Sequence, residues 1–308
     1  MSYRHAVRLS VVLGQWLDRS LQSDLELAFA ADRLGYDQLW VPEMAKSDAP
    51  AMASITACRT DRIELVLGPL AVTVRSPVQI AIALQTVAAT GRAVHVALGT
   101  SSDTVARWHG RSRAGAADAL ERALIDVRAL LAGDRVNGFR LSQPPADKPT
   151  ITVAAFGPRA LEIASGADRM VLNMVTVTAA QRLAAHHPNT AAWLCAAIDP
   201  TEEERRWLTR GFVGYLAAPG YSEMFIDAGY AELVEFARTR PSPKDLFVRV
   251  PDDLLEHVAL VGDESTVRRR LAEYESAGVA EVCLVPPAPE LGGIATLEAL
   301  GVWLPKGA

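Results

Sequence analysis

The loop 99–103, Gly-Thr-Ser-Ser-Asp, is the segment whose residue types and spacing most clearly point to chemistry. It follows an apolar run at 93–98, whose length suits a strand buried on both faces, and barrel enzymes build active sites where such strands end. Glycine lets a ligand approach the backbone, and the hydroxyl groups that follow can bond a ring edge or a phosphate. Trp108 and His109 lie just beyond and add a flat surface with polar nitrogens.

The same segment also fits an ordinary strand-to-helix turn, and its residues alone leave both interpretations open. In the second interpretation Thr100 or Ser101 is the N-cap of a helix, and Trp108 is a packing residue. The other loops help to decide between an active-site loop and an ordinary turn, because a barrel active site needs polar groups at the ends of several strands.

A second candidate is the turn Phe156-Gly157-Pro158-Arg159, which joins another apolar run to a helix. Unpaired amide groups and the positive end of the helix dipole at such a start can bind phosphate. Arg159 would add a full charge, although a tight turn with a solvated arginine explains the same residues.

Polar or flexible residues follow three more apolar runs, namely Glu43 with Met44, Gly68 with Pro69, and Asn173. No glycine fingerprint for a dinucleotide or a phosphate loop, no serine-hydrolase elbow and no metal-ligand spacing occurs in the sequence. The sequence therefore predicts a site assembled from separate loops and without a metal.

The elements that must position these loops alternate between strand and helix about eight times. The predicted strands cover residues 7–13, 37–41, 63–67, 93–98, 151–156, 169–173, 191–198 and 281–285. Near-continuous apolar strands indicate a parallel sheet, and their number favours an α/β fold of the closed (β/α)8 TIM-barrel type. A helical insertion between strands 7 and 8 is predicted to run to about residue 261. An open sheet with a helical domain from about Pro200 is the alternative.

Composition narrows the class of protein. The chain has 308 residues, of which half are hydrophobic and 22% are charged, so we expect a large core and little disorder. The net charge of -5 offers no basic surface for nucleic acid, and no apolar run has the length of a membrane span or of a signal peptide. Cys58, Cys195 and Cys283 lie far apart in apolar settings, which is typical of buried thiols in a reducing compartment. We therefore expect a cytoplasmic protein that acts on a small molecule.

Several segments resemble the bacterial-luciferase-like oxidoreductases, specifically the branch that uses the deazaflavin coenzyme F420 (8-hydroxy-5-deazaflavin). The resemblance covers nearly the whole chain, in the order ELAFAADRLGYDQLWVPE, RSPVQIA, LGTSSDTVARWHG, VAAFGPRALEIASGADRMVLNMV, GYLAAPGYSEMFIDAGY and VALVGDESTVRRRLAEYESAGVAEVCLVPP. It implies one TIM-barrel domain over residues 1–308, hydride transfer at the C-terminal face of the strands, and a homodimer.

The resemblance also implies roles for particular residues. A bulge after strand three, with Gly68, Pro69 and Leu70, would back the coenzyme ring, often through a cis peptide, which costs little at a Gly–Pro bond. The other residues that would contact the coenzyme are Met44, Gly99, Thr100, Ser101, Phe156, Gly157, Pro158 and Arg159. The arginines that would meet its acidic tail are Arg107, Arg111, Arg113 and Arg159.

Two departures from the family pattern bear on the reaction. Family members that oxidise alcohols or sugar phosphates carry a histidine where this chain has Met44, and a glutamate where it has Ser102. We therefore expect a reductase that transfers hydride from the reduced coenzyme to a C=C or C=N bond of a small metabolite. The residues expected to position substrate or relay a proton are Glu43, Ser102, Asp103 and His109. The alternatives are an FMN-dependent luciferase-like monooxygenase and a barrel that binds a cofactor without catalysis.

Overall fold

Eight parallel strands close into a barrel in the computed structural model, which describes residues 7–14 and 16–304. The nine strands of the sheet are β1 (Arg8–Val12), β2 (Gln38–Val41), β3 (Glu64–Ala71), β4 (Val94–Gly99), β5 (Ile151–Ala154), β6 (Arg169–Asn173), β7 (Thr190–Ile198), β8 (Ala259–Gly262) and β9 (Val279–Val285). Strand β9 pairs with both β1 and β7, which closes the ring, and β8 lies outside it. The predicted TIM barrel is therefore confirmed, and the open sheet is wrong.

Strand β8 is a difference from the prediction, which places residues up to about 261 in the helical insertion. Strand β9 pairs with β7 up to Cys195, and β8 pairs with the remaining part of β7, Cys195–Ile198. Four apolar residues have no periodicity of their own, so the sequence does not distinguish a short strand from the end of a helix there. The last strand of the ring also begins earlier than predicted, at Val279.

Helices cover the outside of the barrel and form the insertion. Those that belong to the repeating units are α1 (Leu21–Leu34), α2 (Ala49–Ala57), α3 (Pro77–Ala88), α4 (Asp103–Trp108), α5 (Ala116–Leu131), α6 (Pro158–Ala164), α7 (Val177–Ala184), α13 (Glu264–Ser276) and α14 (Gly293–Gly301). The insertion holds α8 (Glu202–Val213), α9 (Tyr221–Asp227), α10 (Ala231–Arg238), α11 (Pro243–Val248) and α12 (Leu254–Val258). A short 3-10 turn covers Pro289–Leu291. No helix within residues 7–14 and 16–304 is long and apolar enough to cross a membrane.

Paired charges lie inside the N-terminal end of the barrel. Arg169 and Glu281 are both 2% exposed and form an ion pair of 2.6 Å. Ser10 Oγ and Trp40 Nε1 donate to the same carboxylate at 2.7 and 3.2 Å. Burial alone would raise the pKa of Glu281, but Arg169 and the Ser10 hydroxyl outweigh burial, so the pKa lies below its usual value.

A column of three tryptophans continues from this network toward the other end of the barrel. The Arg169 guanidinium lies 4.4 Å from the centre of the Trp40 ring, and Trp193 of β7 meets Trp40 edge-on at 5.4 Å. Trp16, in the loop after β1, stacks on Trp193 with ring centres 5.7 Å apart. This column (Trp40, Trp193 and Trp16) therefore brings apolar surface to the C-terminal ends of the strands.

Candidate functional site

The loops that carry the predicted chemistry lie at the C-terminal end of the barrel. A cavity of about 310 Å³ lies at the opposite end, where Arg8, Glu64 and Glu281 contribute to its lining. Parallel-barrel enzymes carry their active sites where the strands end, and the N-terminal face mainly serves stability. We therefore place the candidate site at the C-terminal mouth.

One corner of this mouth is formed by the ends of β3, β4 and β5, which are parallel neighbours. Thr73 Oγ1 donates to the Thr100 carbonyl oxygen at 3.4 Å, which joins the loops after β3 and β4. The turn at Gly157 follows β5 and begins α6. Gly68, Thr100 and Gly157 therefore lie at the same end of the barrel, as predicted.

A bulge in β3 shapes the floor of this corner. The register with β4 shifts between Leu67 and Leu70, and the Gly68–Pro69 peptide bond is cis, as the resemblance implies. Gly68 has a φ of 109°, and a side chain there would collide with the Leu70 amide and the Ala97 carbonyl group. The bulge therefore depends on glycine at this position.

The surface beside this bulge carries only short side chains, because Gly99 has none. A Cβ at Gly99 would lie 3.1 Å from Pro69 Cβ and 3.5 Å from Ala154 Cβ. Pro69, Gly99 and Ala154, which we call the floor, thus present no side chain longer than a proline ring. A planar ring can lie flat on such a surface.

Glu43 is held by charged and backbone groups around it. Arg75 donates Nε and Nη2 to the two carboxylate oxygens at 2.7 Å each, and the Ala49 amide donates at 3.1 Å. Arg75 also pairs with Asp48, the N-cap of α2. The hydrogen bond with Glu43 is the main reason that the pKa of Arg75 lies above its ordinary value, and burial opposes it. Glu43 therefore joins the loops after β2 and β3, and the half-buried Met44 follows it.

The other three residues predicted to position substrate or relay a proton lie on or next to the exposed helix α4. Ser102 is the N-cap of this helix and accepts a backbone hydrogen bond of 3.3 Å, so the cap is neither Thr100 nor Ser101. Asp103 begins the helix, His109 is its C-cap, and both are exposed. The structure therefore places Ser102, Asp103 and His109 at the rim of the mouth.

A positive charge supports the loop after β4. Arg113 Nη2 donates to Thr100 Oγ1 at 3.1 Å, and Arg113 Nη1 lies 3.8 Å from the Asp103 carboxylate. Ser101 is exposed, and its φ of 56° lies in the left-handed region. The hydroxyl of Thr100 is thus held by a cation, while Ser101 is open to solvent.

The turn at Gly157 is open, but its arginine is already paired. Gly157 is the N-cap of α6 without a side-chain hydrogen bond, and no atom lies within 4 Å of the place where its Cβ would be. Pro158 occupies the first turn of the helix. Arg159 donates to Glu121 and Glu162 at 2.6 Å each, so two carboxylates compensate its charge. The phosphate contact of Gly157 stays a prediction.

Two tyrosines of the helical insertion complete the mouth, and sequence reasoning missed them. Tyr221 stacks on Phe156 with ring centres 4.3 Å apart, and Tyr215 meets Tyr221 at 5.0 Å. Asn173, at the end of β6, donates Nδ2 to the Tyr221 hydroxyl oxygen at 3.2 Å. Gly220 lies so close to Phe156 that a Cβ would approach the ring to 2.6 Å. We call Phe156, Tyr215 and Tyr221 the aromatic wall.

Several buried polar atoms in this region have unused hydrogen-bonding capacity. Asn173 Oδ1 and the indole nitrogens of Trp16 and Trp193 are buried without a partner among the residues that the structure describes. Asn173 and Trp193 are register partners on β6 and β7, so their side chains lie on the same, inner face of the barrel. Buried polar groups are normally satisfied, and small-molecule sites combine apolar walls with a few such groups. The mouth therefore has the composition of a ligand site.

Solved structures with this architecture include enzymes that use two kinds of coenzyme. An F420-dependent secondary alcohol dehydrogenase, in complex with an F420–acetone adduct, has a TM-score of 0.77 at 16% identity and covers 97% of this chain and 99% of its own. The coenzyme F420-dependent tetrahydromethanopterin reductase of Methanopyrus kandleri has a TM-score of 0.77 at 16% identity and covers 97% of each chain. A type II Baeyer-Villiger monooxygenase of Pseudomonas putida, in complex with FMN, has a TM-score of 0.69 at 15% identity over 96% of this chain and 97% of its own. These TM-scores show a common fold, and identities this low show nothing beyond the fold.

Sequence comparisons identify the family of the chain as well as its fold. A protein of Mycobacterium tuberculosis (strain ATCC 25618 / H37Rv), named as a coenzyme F420-dependent oxidoreductase, is 24% identical over 89% of this chain and 93% of its own length. A family model described as luciferase-like monooxygenase matches residues 6–281. Because that match spans most of the barrel, the chain belongs to the luciferase-like monooxygenase family and is an oxidoreductase of that family.

Proposed function

We propose that this protein is a reductase that uses reduced coenzyme F420 to reduce a C=C or C=N bond of a small metabolite. The observation that carries the proposal is the floor of short side chains near the aromatic wall, because a planar redox ring needs one face backed by protein and the other open to substrate. The names of the Mycobacterium tuberculosis relative and of two structural neighbours include coenzyme F420, which supports the deazaflavin.

The residues that would hold the coenzyme come from the bulge of β3, the end of β4 and the loops after β2, β4 and β5. Residues 68–70 would back the ring, and Gly99 leaves room for it. The hydroxyl of Thr100, which accepts a hydrogen bond from Arg113, would bond a polar group of the coenzyme. The further contacts that we propose are Met44, Ser101, Phe156, Gly157 and Pro158. When bound, the reduced coenzyme supplies the hydride.

The four residues proposed to handle substrate differ in what they can do. Glu43 accepts three hydrogen bonds, so its role is to hold the loops that surround the reacting groups. Ser102, Asp103 and His109 lie at the rim, where they can contact an entering substrate and exchange protons with water.

An FMN-dependent monooxygenase is the second candidate function. The Pseudomonas putida neighbour shares the fold and is in complex with FMN. The floor would back a flavin as well as a deazaflavin, since both rings are planar. This chain has Met44 and Ser102 where the alcohol-oxidising members of the family have histidine and glutamate. The difference argues against alcohol oxidation, but it does not distinguish the reductase from the monooxygenase.

Titration of the purified protein with each coenzyme tests the proposal. We expect oxidised coenzyme F420 to bind in the micromolar range, measured by quenching of its fluorescence, and FMN to bind at least about tenfold more weakly. Gly99→Val should abolish binding because its branched side chain enters the floor. The control is Gly166→Val at the other end of the barrel, where the nearest atoms to a Cβ lie at 3.6 and 3.9 Å.

Two results would contradict this proposal. A wild-type protein that does not bind coenzyme F420 excludes the deazaflavin, and tighter binding of FMN supports the monooxygenase. A Gly99→Val variant that folds and binds coenzyme as well as the wild type excludes the floor as the ring site.

A further inference from the structure

The Tyr221 hydroxyl lies at the barrel mouth with its own hydrogen available. Asn173 Nδ2 donates to the Tyr221 oxygen at 3.2 Å, so the hydroxyl accepts that bond and its O–H can still donate. The Tyr215 ring lies next to Tyr221, with ring centres 5.0 Å apart. Asn173 Oδ1 is buried and has no partner in the part of the chain that the structure describes, so it can accept. Donors and an acceptor thus lie side by side.

Both tyrosines keep their protons over a wide range of pH. Burial raises the pKa of Tyr215 to about 12 and raises the pKa of Tyr221 further above its usual range. A neutral phenol in apolar surroundings donates a strong hydrogen bond to an oxygen on which negative charge develops. The aromatic wall provides such surroundings.

No residue proposed from the sequence fills this position. The Glu43 carboxylate is bonded by Arg75, and Ser102 caps α4. Asp103 and His109 are exposed at the rim. Reduction of a conjugated bond needs a proton donor near the reacting atoms as well as a hydride. The Tyr221 hydroxyl is a proton donor in the interior of the mouth.

We infer that Tyr221, together with Tyr215 and Asn173, binds the polar end of the substrate and donates the proton that completes its reduction. This inference rests on the proposed function. The tyrosine hydroxyls can donate hydrogen bonds to a carbonyl oxygen of the substrate. Asn173 Oδ1 can accept a hydrogen bond from an N–H or O–H group beside that carbonyl. The stacked rings of Phe156 and Tyr221 match a flat molecule. The substrate class is therefore a planar, conjugated carbonyl compound with a neighbouring N–H or O–H group.

The chemical step balances with the reduced deazaflavin as the reductant. The carbon at the far end of the C=C bond gains the hydride, and the π electron pair moves onto the carbonyl oxygen. Tyr221 donates its proton to that oxygen and regains a proton from water, and the enol returns to the ketone. The substrate gains two hydrogens in total, and the deazaflavin is the species that is oxidised.

Binding of coloured phenols to the protein without coenzyme tests the subsite directly. We use para-nitrophenol, whose anion offers only an acceptor, and nitrocatechol, whose monoanion adds a neighbouring O–H group. Visible absorbance reports how much of each bound phenol is ionised. We expect the wild type to bind both anions, to lower their apparent pKa and to bind nitrocatechol more tightly.

Variants assign this binding to particular groups. Tyr221→Phe keeps the stack on Phe156 but removes the donor, so affinity for both anions should fall about tenfold or more. Asn173→Leu has a similar volume and should remove the advantage of nitrocatechol. The matched control is Tyr230→Phe in the same insertion, where the ring packs edge-on against His257 at 5.6 Å. This control should bind like the wild type, and melting temperatures confirm that each variant folds.

Three outcomes would overturn the inference: no saturable binding of either anion to the wild type, unchanged binding by Tyr221→Phe, or an equal loss in Tyr230→Phe. Coenzyme binding, measured separately by quenching of coenzyme F420 fluorescence, should be the same in Tyr221→Phe and the wild type. Failure of the wild type to bind coenzyme F420 would contradict the proposed function, whereas the phenol results would still decide whether this subsite exists. With coenzyme bound, Tyr221→Phe should lower kcat more than it raises KM.

Discussion

Residues whose type and position in the sequence suggest a catalytic or binding role can already be hydrogen-bonded to other residues in the folded chain. Glu43 has the position of a proton donor in the sequence, but Arg75 and a backbone amide use both of its oxygens. Arg159 likewise has the position of a phosphate ligand, but it pairs with Glu121 and Glu162. Arg75 and Glu121 lie far along the chain from the residues they bind, so a pattern of nearby residues does not reveal them, whereas Glu162 lies one turn from Arg159 in the same helix.

Glu43→Gln tests whether this side chain positions loops or transfers a proton. Loss of the charge leaves Arg75 without a strong partner, so we expect about 1–3 kcal/mol less stability and weaker coenzyme binding. The pH profile of turnover should keep its shape. Urea unfolding and initial rates measure these effects, and Glu162→Gln in the exposed pair with Arg159 should change stability by less than about 1 kcal/mol. A lost limb of the pH profile would instead identify Glu43 as the proton donor.

Elements are fixed by contacts across the sheet as well as by their own sequence. The apolar run before Gly68-Pro69 marks the strand β3, and the family resemblance, not the run itself, implied the bulge that follows. The charges inside the N-terminal end of the barrel were not predictable, because Arg169 and Glu281 lie near the beginnings of different strands and meet only when the ring closes.

Removal of either partner of this buried pair should be costly. We expect Arg169→Met or Glu281→Gln alone to lower the free energy of unfolding by about 3–5 kcal/mol, because each removes the buried group that compensates the charge of the other. The double variant should lose less than the sum of the two, because it leaves no lone charge. Urea unfolding measures all three. Strict additivity would show that the two side chains do not interact.

A second pair of side chains in the barrel, His95 and Glu64, makes the stability of the protein depend on pH in the acidic range. His95 Nε2 lies 3.1 Å from Glu64 Oε2, while His95 Nδ1 accepts from the Thr150 amide, so the ring donates to the carboxylate. This bond, and to a lesser extent one from Gln38, lowers the pKa of Glu64 from 4.5 to about 2, although burial opposes them. Because the folded pKa is the lower one, the stabilisation is present above pH 4.5 and is lost as pH falls toward 2.

Comparison of the wild type with Glu64→Gln checks this pH range. The wild type should be the more stable of the two at pH 7, and the difference should shrink as the pH falls below 4.5. The exposed Glu203→Gln serves as the control and should show no such trend. A difference that stays constant down to pH 2 would contradict the assignment.

At the scale of the whole molecule, the barrel was predictable and the cover of its mouth was not. Strand–helix alternation indicates the ring, and the order of strands follows from that topology. Tyr215 and Tyr221 flank a short turn in the insertion, and nothing in their local sequence indicates contact with Phe156 or Asn173. Only the path of the insertion over β5 and β6 brings these residues together.

The homodimer implied by the family resemblance stays a prediction. We expect light scattering at micromolar protein concentration to give twice the chain mass of 33.1 kDa. Dilution should not change this mass if the dimer is stable. A mass of one chain under these conditions would contradict the prediction.

The column of three tryptophans gives the protein an internal optical signal. Excitation absorbed by Trp40 or Trp193 can migrate to Trp16, the member of the column that lies nearest the loops of the mouth. A chromophore bound on the floor would accept that energy, so its binding should quench the tryptophan fluorescence of the protein. Trp16→Phe should remove most of this response, whereas Trp108→Phe on the exposed helix should leave it intact. Occupancy of the barrel could then be followed without a label, even by ligands that never turn over.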